Sequence, residues 1–199
     1  MARHIAESVD RRIGFRSVAD WRADIDRRPL RRRLVVIAPA AADAVRDLGG
    51  WMFDMTTAGW EVTVAVADHR DLRSLEILGL LVVDLDQVLD APLHELHADT
   101  IAVATSSYSF DDRVRDGVLD CMQRGATRTM FWGDELPVEF DNATETTRHR
   151  VSVAARAFTS CAMRAAGLAV EATAHTAIIW TARATARDIR RLAALLPAS

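Results

Sequence analysis

The densest group of chemically capable residues is the segment ATSSYSFDDR, residues 104–113, between an apolar run and a helix-like one. It holds three serines, a tyrosine and two adjacent carboxylates. A serine can act as a nucleophile when a base activates it. No GxSxG sequence surrounds Ser106 or Ser107, however, so a hydrolase nucleophile is not supported. Ser109 and Asp112 have the spacing of an acidic capping box, which predicts that this part of the segment simply begins a helix.

Polar residues also follow the other predicted strands, in the positions where a parallel sheet binds its ligands. Such ligands lie beyond the carboxyl ends of the strands, near the point where the strand order reverses. Loops at strand ends are polar throughout this class of protein, so the pattern predicts where a small polar ligand binds but not which one. The candidate ligand-binding residues are Asp43, Asp68, His69, Ser106, Ser107, Tyr108 and Asp134.

Motifs that would hold a specific cofactor are missing. After the first predicted strand the sequence has neither GxGxxG nor GxxxxGK[ST], the two glycine-rich phosphate-binding patterns. His94 and His97 have the i, i+3 spacing of two metal ligands, and Asp99 follows them. The same residues are equally typical of a solvated helix end, and we favour that interpretation. We therefore predict no metal and no cofactor.

The elements that must position these residues alternate along the chain. Apolar β-branched runs predict strands, and amphipathic segments between them predict helices. This alternation is typical of an α/β fold, and it predicts a single three-layer Rossmann-like domain with a mostly parallel sheet over residues 34–199. The predicted strands are 34–38, 61–67, 80–84, 100–105, 128–132 and one within 173–181; the predicted helices lie within 39–58, 71–78, 86–97, 110–124, 143–166 and 184–196.

Gly49 and Gly50 interrupt the first of these helices. In a helix interior each glycine costs roughly 1 kcal/mol relative to alanine. Two explanations remain open. Either the helix begins at the glycines after a loop over residues 39–48, or it packs against a surface that is too close for side chains.

Residues 1–33 precede the domain as a basic arm with a short helix. Residues 17–26 have helical periodicity, and Ser17 with Asp20 forms a plausible capping box. A helix this short is marginal in water by itself, so its apolar face must dock on another surface. We expect the arm to bind a protein partner or a second copy of this chain. The residues of this apolar face are Val18, Trp21 and Ile25.

The charge of the chain is unevenly distributed. All 25 basic residues are arginine and the net charge is −3, yet residues 1–33 hold ten arginines against five acidic residues. Such asymmetry can accompany nucleic-acid binding. An arm that lies on its own acidic body or on a second subunit explains it better, so nucleic-acid binding is not expected.

Several features predict a soluble cytoplasmic protein. Three charged residues occupy the first ten positions, where a signal peptide needs an apolar core. The longest purely apolar run, residues 77–83, is too short to cross a membrane. Cys121 and Cys161 match no metal-ligand spacing and are interpreted as reduced core residues.

The segment VVIAPAAADAVRDLGGWMFDMTTAGWEVTVAVAD resembles the opening of the LmbE/PIG-L deacetylase family. In that family a strand leads to an A-x-H-P-D-D-E loop, a double glycine, a helix and then G-x-E-V-T-V. The spacings agree without a gap from Ala38 to Val64. LRSLEILGLLVVDL looks like a shortened version of the helix and strand that follow, so the resemblance covers residues 34–85. It implies a Rossmann-like fold whose relatives bind zinc.

This chain departs from the family pattern at the residues that carry its chemistry. The zinc-binding histidine falls on Ala40, the catalytic aspartate on Ala42 and the glutamate on Ala44. Asp43 alone keeps its carboxylate. Without the imidazole and the base, zinc cannot be held in the family's way and no water is activated by it.

Two functional hypotheses follow. The first, which the missing motifs favour, is a non-catalytic Rossmann-like protein that binds a protein partner, with or without a small polar ligand at the strand ends. The alternative is a hydrolase or transferase that acts on a small polar substrate in an Asp/Ser/His-lined cleft.

Overall fold

A computed structural model describes residues 14–27, 31–141, 143–170 and 176–183. Eight strands and seven α-helices are defined within these ranges. The strands are β1 (Gly14–Phe15), β2 (Arg33–Ala40), β3 (Glu61–Asp68), β4 (Leu81–Asp84), β5 (Thr100–Ala104), β6 (Arg128–Trp132), β7 (Thr144–Arg150) and β8 (Thr176–Ala182). The helices are α1 (Val18–Arg27), α2 (Ala41–Thr57), α3 (Arg73–Ile77), α4 (Leu85–Leu89), α5 (Thr105–Phe110), α6 (Asp112–Arg124) and α7 (Val153–Ala165), with 3-10 turns at Leu93–Leu96 and Val138–Phe140.

The strands form one mostly parallel sheet in the order β1-β4-β3-β2-β5-β6-β8-β7. Strands β1 to β6 run parallel, whereas β8 is antiparallel to both β6 and β7. The chain moves outward from β2 through β3 to β4 and then returns to the other side of β2 to form β5. The strand order therefore reverses between β2 and β5, which is where ligands bind in open parallel sheets.

Two apolar layers cover the faces of the sheet. On one face α1, α4 and α6 pack on alternate residues of the strands, such as Val35 and Ile37 of β2. On the other face α2, α3 and α7 pack on Leu34 and Val36. Central strands that are buried on both sides read as continuous apolar runs, as β2 does. The predicted three-layer α/β fold is confirmed.

The arm helix α1 lies on this chain's own sheet. The Ser17 hydroxyl accepts a hydrogen bond from the Asp20 backbone N–H at 3.1 Å and donates one to the Asp20 carboxylate at 2.8 Å, so the capping box forms. Trp21 is only 1% exposed. β1 adds a short edge strand beside β4. Residues 14–27 are therefore packed as part of the α/β body, and the apolar face of α1 contacts the core.

The prediction of a helix over residues 143–166 is wrong for the first half of this segment. Residues 144–150 form β7, which pairs antiparallel with β8, and α7 begins only after Ser152. TETTRHR is rich in threonine, which favours strands, and β8 provides a pairing partner that local sequence cannot show. The Ser152 hydroxyl accepts a hydrogen bond from the Ala155 N–H at 3.1 Å and caps α7.

Helix α2 begins directly after β2, so the explanation of a loop over residues 39–48 is wrong. Gly49 and Gly50 lie inside α2 and are buried. A Cβ atom at Gly50 would lie 2.5 Å from Cγ1 of Val151, which precedes α7. The glycines therefore allow close packing, as the other explanation held.

Three further expectations can be compared with the described residues. No helix among them combines the length and apolarity needed to cross a membrane. Cys121 is buried, but Cys161 is exposed on α7 and is not a core residue as predicted. The predicted helix 184–196 lies outside the described residues.

Candidate active site

A cavity lies at the carboxyl ends of β2, β5 and β6, next to the point where the strand order reverses. Its volume is about 650 Å³. This is within the range of small-molecule sites, about 300–1,000 Å³. The cavity is lined by Pro39, Asp43, Arg46, Asp47, Ala104, Thr105, Ser106, Ser109, Phe110, Trp132, Gly133, Asp134 and Glu135.

Helix α2 contributes an arginine and two carboxylates to the cavity. Because α2 begins at Ala41, these residues lie on its first two turns. The Arg46 guanidinium is 2.9 Å from Asp43 Oδ1 through Nη1 and 2.9 Å from Asp47 Oδ1 through Nε. Hydrogen bonding to Asp47, together with the charge of Asp43, raises the pKa of Arg46 above its ordinary value. The cationic group of this wall is thus neutralised by its own helix.

Helix α5 brings hydroxyl groups and an aromatic ring to the same cavity. Thr105 begins the helix directly after β5 and is 8% exposed, while Ser106 and Ser109 are exposed at the cavity wall. Phe110 ends the helix and is 90% exposed. The predicted capping box at Ser109 is wrong, because Asp111 is extended and its own carboxylate accepts from the Arg113 N–H at 2.9 Å to cap α6.

Two of the candidate residues in α5 do not line the cavity. Ser107 is buried outside the cavity lining. Tyr108 packs edge-on against Phe131 and Phe140, in the apolar layer that also contains α1, α4 and α6. Burial, and then the nearby charge of Glu139, raise the pKa of Tyr108 well above its ordinary range. The helical conformation of α5 was not predicted from the sequence. In a helix successive side chains point to different faces, so neighbouring residues of this segment do not all reach the cavity.

The end of β6 approaches the start of α5 closely. Gly133 has φ of 128°, and a Cβ atom there would lie 2.6 Å from Thr105 Oγ1. Only glycine adopts this conformation readily and leaves room for the hydroxyl. Asp134 and Glu135 follow at the exposed wall of the cavity. The structure therefore brings together Asp43, Ser106 and Asp134 of the predicted residues.

Asp68 and His69 lie outside the cavity, at the end of β3. Asp68 forms an ion pair with Arg70, and hydrogen bonds from Arg70 lower the Asp68 pKa to about 2. His69 Nε2 is 2.6 Å from Asp84 Oδ2, and its ring lies 5.1 Å from that of Phe15. Because β3 is separated from β5 by β2, its end does not reach the wall formed by α5.

Sequence reasoning missed most of the other lining residues. The signal for Arg46 was its i, i+3 spacing from Asp43 on a helix that begins at residue 41. No local signal distinguished Thr105 or Phe110, because their place in the wall depends on how α5 is oriented on the sheet. The pair His94 and Asp120, 2.5 Å apart, occupies a different groove along α6.

A zinc site of the deacetylase type does not fit the residues present. Methyl groups stand at Ala40, Ala42 and Ala44, and Ala44 is fully buried in the core. The remaining carboxylate, Asp43, is engaged by Arg46. Within the described residues, no three His, Cys, Asp or Glu side chains come together to hold a metal ion.

The architecture of this chain is similar to that of several solved proteins. No known family profile matches the sequence, and no curated protein does. Solved structures do match. The A40926 pseudoaglycone deacetylase Dbv21 is 16% identical, with 78% of this chain and 99% of that one covered and a TM-score of 0.56. A deacetylase–teicoplanin complex from teicoplanin biosynthesis is 12% identical, with coverage of 75% and 97% and a TM-score of 0.55. This chain has the LmbE/PIG-L fold.

The LmbE/PIG-L fold confirms the resemblance suggested by residues 34–85 and extends it to about three quarters of the chain. It also changes the functional interpretation. The solved neighbours are deacetylases, which contradicts the expectation of a non-catalytic binding protein. At 11–16% identity the neighbours define the fold, and the chemistry has to be argued from the cavity itself.

Proposed function

We propose that this protein is a hydrolase that cleaves a small polar substrate in the cavity at the ends of β2, β5 and β6. The observation that carries the proposal is the position of this cavity. Carboxylates and hydroxyls line about 650 Å³ at the strand-order reversal of a fold whose solved neighbours are deacetylases. Ligands of open parallel sheets bind at this place.

The carboxylates at the end of β6 are best placed to act as a general base. Asp134 and Glu135 form no ion pair or hydrogen bond within the described part of the chain, whereas Asp43 is held by Arg46. A free carboxylate can take a proton from water as the water oxygen attacks an acyl carbon. When the C–N bond then breaks, the same carboxyl group returns the proton to the leaving nitrogen. Each bond broken is thus matched by one formed.

The remaining lining groups position the substrate. The hydroxyls of Thr105 and Ser106 can donate to or accept from its polar groups. Arg46 is the cationic side chain in the described lining, and Asp43 and Asp47 hold it in place at the cavity wall. This arrangement assigns binding and proton transfer to the chain's own side chains.

Turnover of acylated small molecules tests the proposal. Purified protein is incubated with a panel of N-acetylated amines and amino sugars, and the released amine is measured by mass spectrometry. The double variant Asp134→Asn with Glu135→Gln should lower kcat at least about 100-fold, because general-base catalysis contributes that much. The control Asp86→Asn changes an exposed carboxylate outside the cavity and should retain activity. Equal turnover by the double variant and the parent would refute these roles.

We further infer that the protein acts in the cytoplasm. The support is its cysteine chemistry, because Cys121 and Cys161 are both free. Burial raises the pKa of Cys121 to about 11, so its thiol stays protonated and unreactive. Fractionation of the native host, followed by immunodetection of the protein, tests this location.

A further inference from the structure

The walls of the cavity carry an excess of negative charge. Four carboxylates, those of Asp43, Asp47, Asp134 and Glu135, face a single guanidinium in the described lining. That guanidinium is already paired with the two carboxylates of α2, each at 2.9 Å. The two carboxylates at the end of β6 have no ion pair within the described residues. An anionic ligand would therefore meet repulsion here, and a cationic one attraction.

An independent feature at the base of the cavity points to a ligand. Thr105 is more than nine-tenths buried and lines the cavity, yet its hydroxyl has no hydrogen-bond partner within the described residues. Its oxygen is not among the fully enclosed unsatisfied polar atoms of the described residues, so a water molecule or a ligand in the cavity can reach it. Gly133 leaves the space beside this hydroxyl open, because a Cβ atom there would lie 2.6 Å from it. The hydroxyl is thus kept available to a group that enters the cavity.

Phe110 adds an apolar surface beside the charged wall. Its ring lines the same cavity and is 90% exposed. Aromatic faces bind apolar rings, and they attract organic cations through the ring quadrupole. The cavity therefore combines an anionic wall, a buried hydroxyl and an open aromatic surface.

We propose that this cavity binds an organic ammonium ion attached to an apolar ring. The ammonium group lies between Asp134 and Glu135, a polar substituent reaches Thr105, and the ring lies on Phe110. This inference rests on the proposed function and names its ligand class: hydrolysis of an amide releases an amine, which is protonated at neutral pH. A divalent metal ion fits less well, because no three acidic, histidine or cysteine side chains of the described residues converge on one point.

Three probes of one shape and different charge test the ligand class. Benzylamine, benzyl alcohol and benzoate are titrated into the full-length protein and followed by calorimetry and by NMR of the ligand signals. We expect saturable binding of benzylamine, at least tenfold weaker binding of benzyl alcohol, and none of benzoate. Raising the salt concentration should weaken benzylamine binding, because ions screen exposed charges. Equal binding of benzoate would overturn the proposal.

Matched variants test the site. Asp134→Asn with Glu135→Gln should weaken benzylamine binding at least tenfold, and Phe110→Ala and Thr105→Val several-fold each. Asp86→Asn and Val138→Ala change an exposed carboxylate and an exposed apolar side chain outside the cavity, and both should leave binding unchanged. Melting temperatures confirm that each variant is folded. Unchanged binding in the double variant, or displacement of benzylamine by equimolar MgCl₂, would contradict an organic-cation site.

The outcome separates this inference from the proposed function. Benzylamine binding that depends on Asp134 and Glu135, together with no hydrolysis of any acylated compound, would support the cation site and refute the hydrolase. Hydrolysis that benzylamine does not inhibit would support the hydrolase and refute the cation site.

Discussion

Asp43 is the one carboxylate in the alanine-rich sequence that follows β2, and its charge is balanced within its own helix. The partner is Arg46, one turn later, at 2.9 Å. The guanidinium of an arginine remains charged at any ordinary pH. Unlike a bound metal ion, it is part of the chain and is not removed by a chelator. The pair therefore fixes the local charge without a bound ion.

We predict that the purified protein carries no stoichiometric zinc. Methyl groups at Ala40 and Ala42 offer no ligand, and Arg46 competes for the remaining carboxylate. Elemental analysis by mass spectrometry after dialysis should give well under one zinc per chain. About one zinc per chain, retained by an Asp43→Asn variant as well, would show a metal site elsewhere in the protein.

A second charged group, Asp54, links stability to pH. Its carboxylate accepts from the Ser152 N–H at 3.0 Å and lies 2.8 Å from His149 Nε2. Burial by itself would raise its pKa, but the hydrogen bonds from Ser152 and His149 outweigh burial, and the pKa is lowered. A carboxylate with a lowered folded-state pKa stabilises the fold above its unfolded value, and this contribution is lost as pH falls through the folded value.

Asp54→Asn should therefore reduce the loss of stability below about pH 4. The free energy of unfolding in urea, measured at pH 5.5 and again at pH 3, should fall less in the variant than in the parent protein. Asp86→Asn, at an exposed position, is the control and should keep the parent's pH dependence. An identical pH dependence in Asp54→Asn would remove this residue from the explanation of acid unfolding.

Among the elements, α2 and the segment leading into α7 meet at unusually short range. Gly50 faces Val151, and Gly49 faces the Thr159 methyl group, where a Cβ atom would lie at 3.1 Å. Interiors are packed at crystal-like density, so there is little room for even one added methyl group. The double glycine thus sets the distance between two neighbouring helices, α2 and α7, on the same face of the sheet.

Gly50→Ala should destabilise the protein despite alanine's better helix propensity. Alanine gains about 1 kcal/mol in a helix, whereas overpacking costs about 1–3 kcal/mol, so we expect a net loss of up to about 2 kcal/mol. Urea unfolding measures the change. Gly49→Ala is the matched control and should cost less, because its contact is longer. A rise in stability for Gly50→Ala would mean that Val151 moves aside freely.

At the scale of the whole molecule, residues 14–27 of the arm are part of the folded body. Val18, Trp21 and Ile25 are each at most 5% exposed, and Arg33 donates from Nη2 to the Ile25 carbonyl at 2.9 Å. A second chain can use the apolar face of α1 only if two chains exchange their arms. Association through the arm therefore remains a prediction, now with a specific geometry.

Light scattering tests this association. Exchange of arms predicts a species with the mass of two chains, whose fraction rises with protein concentration. Trp21→Ala should weaken both the fold and the dimer, since it removes a large buried side chain. Arg27→Ala, which changes an exposed side chain of the same helix, should affect neither. The mass of a single chain at every concentration would contradict association of identical chains.

By itself the sequence determined the alternation of strands and helices, the capping box of α1 and the likeness of residues 34–85 to a deacetylase fold. These depend on local periodicity, on spacing and on hydrogen bonds between near neighbours, all of which are written in short segments. Tertiary structure decided the rest. TETTRHR forms a strand because β8 pairs with it. Tyr108 does not line the candidate site because α5 directs its side chain into the core, against Phe131. The cavity joins the ends of three strands far apart in the chain, so its excess of carboxylates arises only when the sheet brings those ends together.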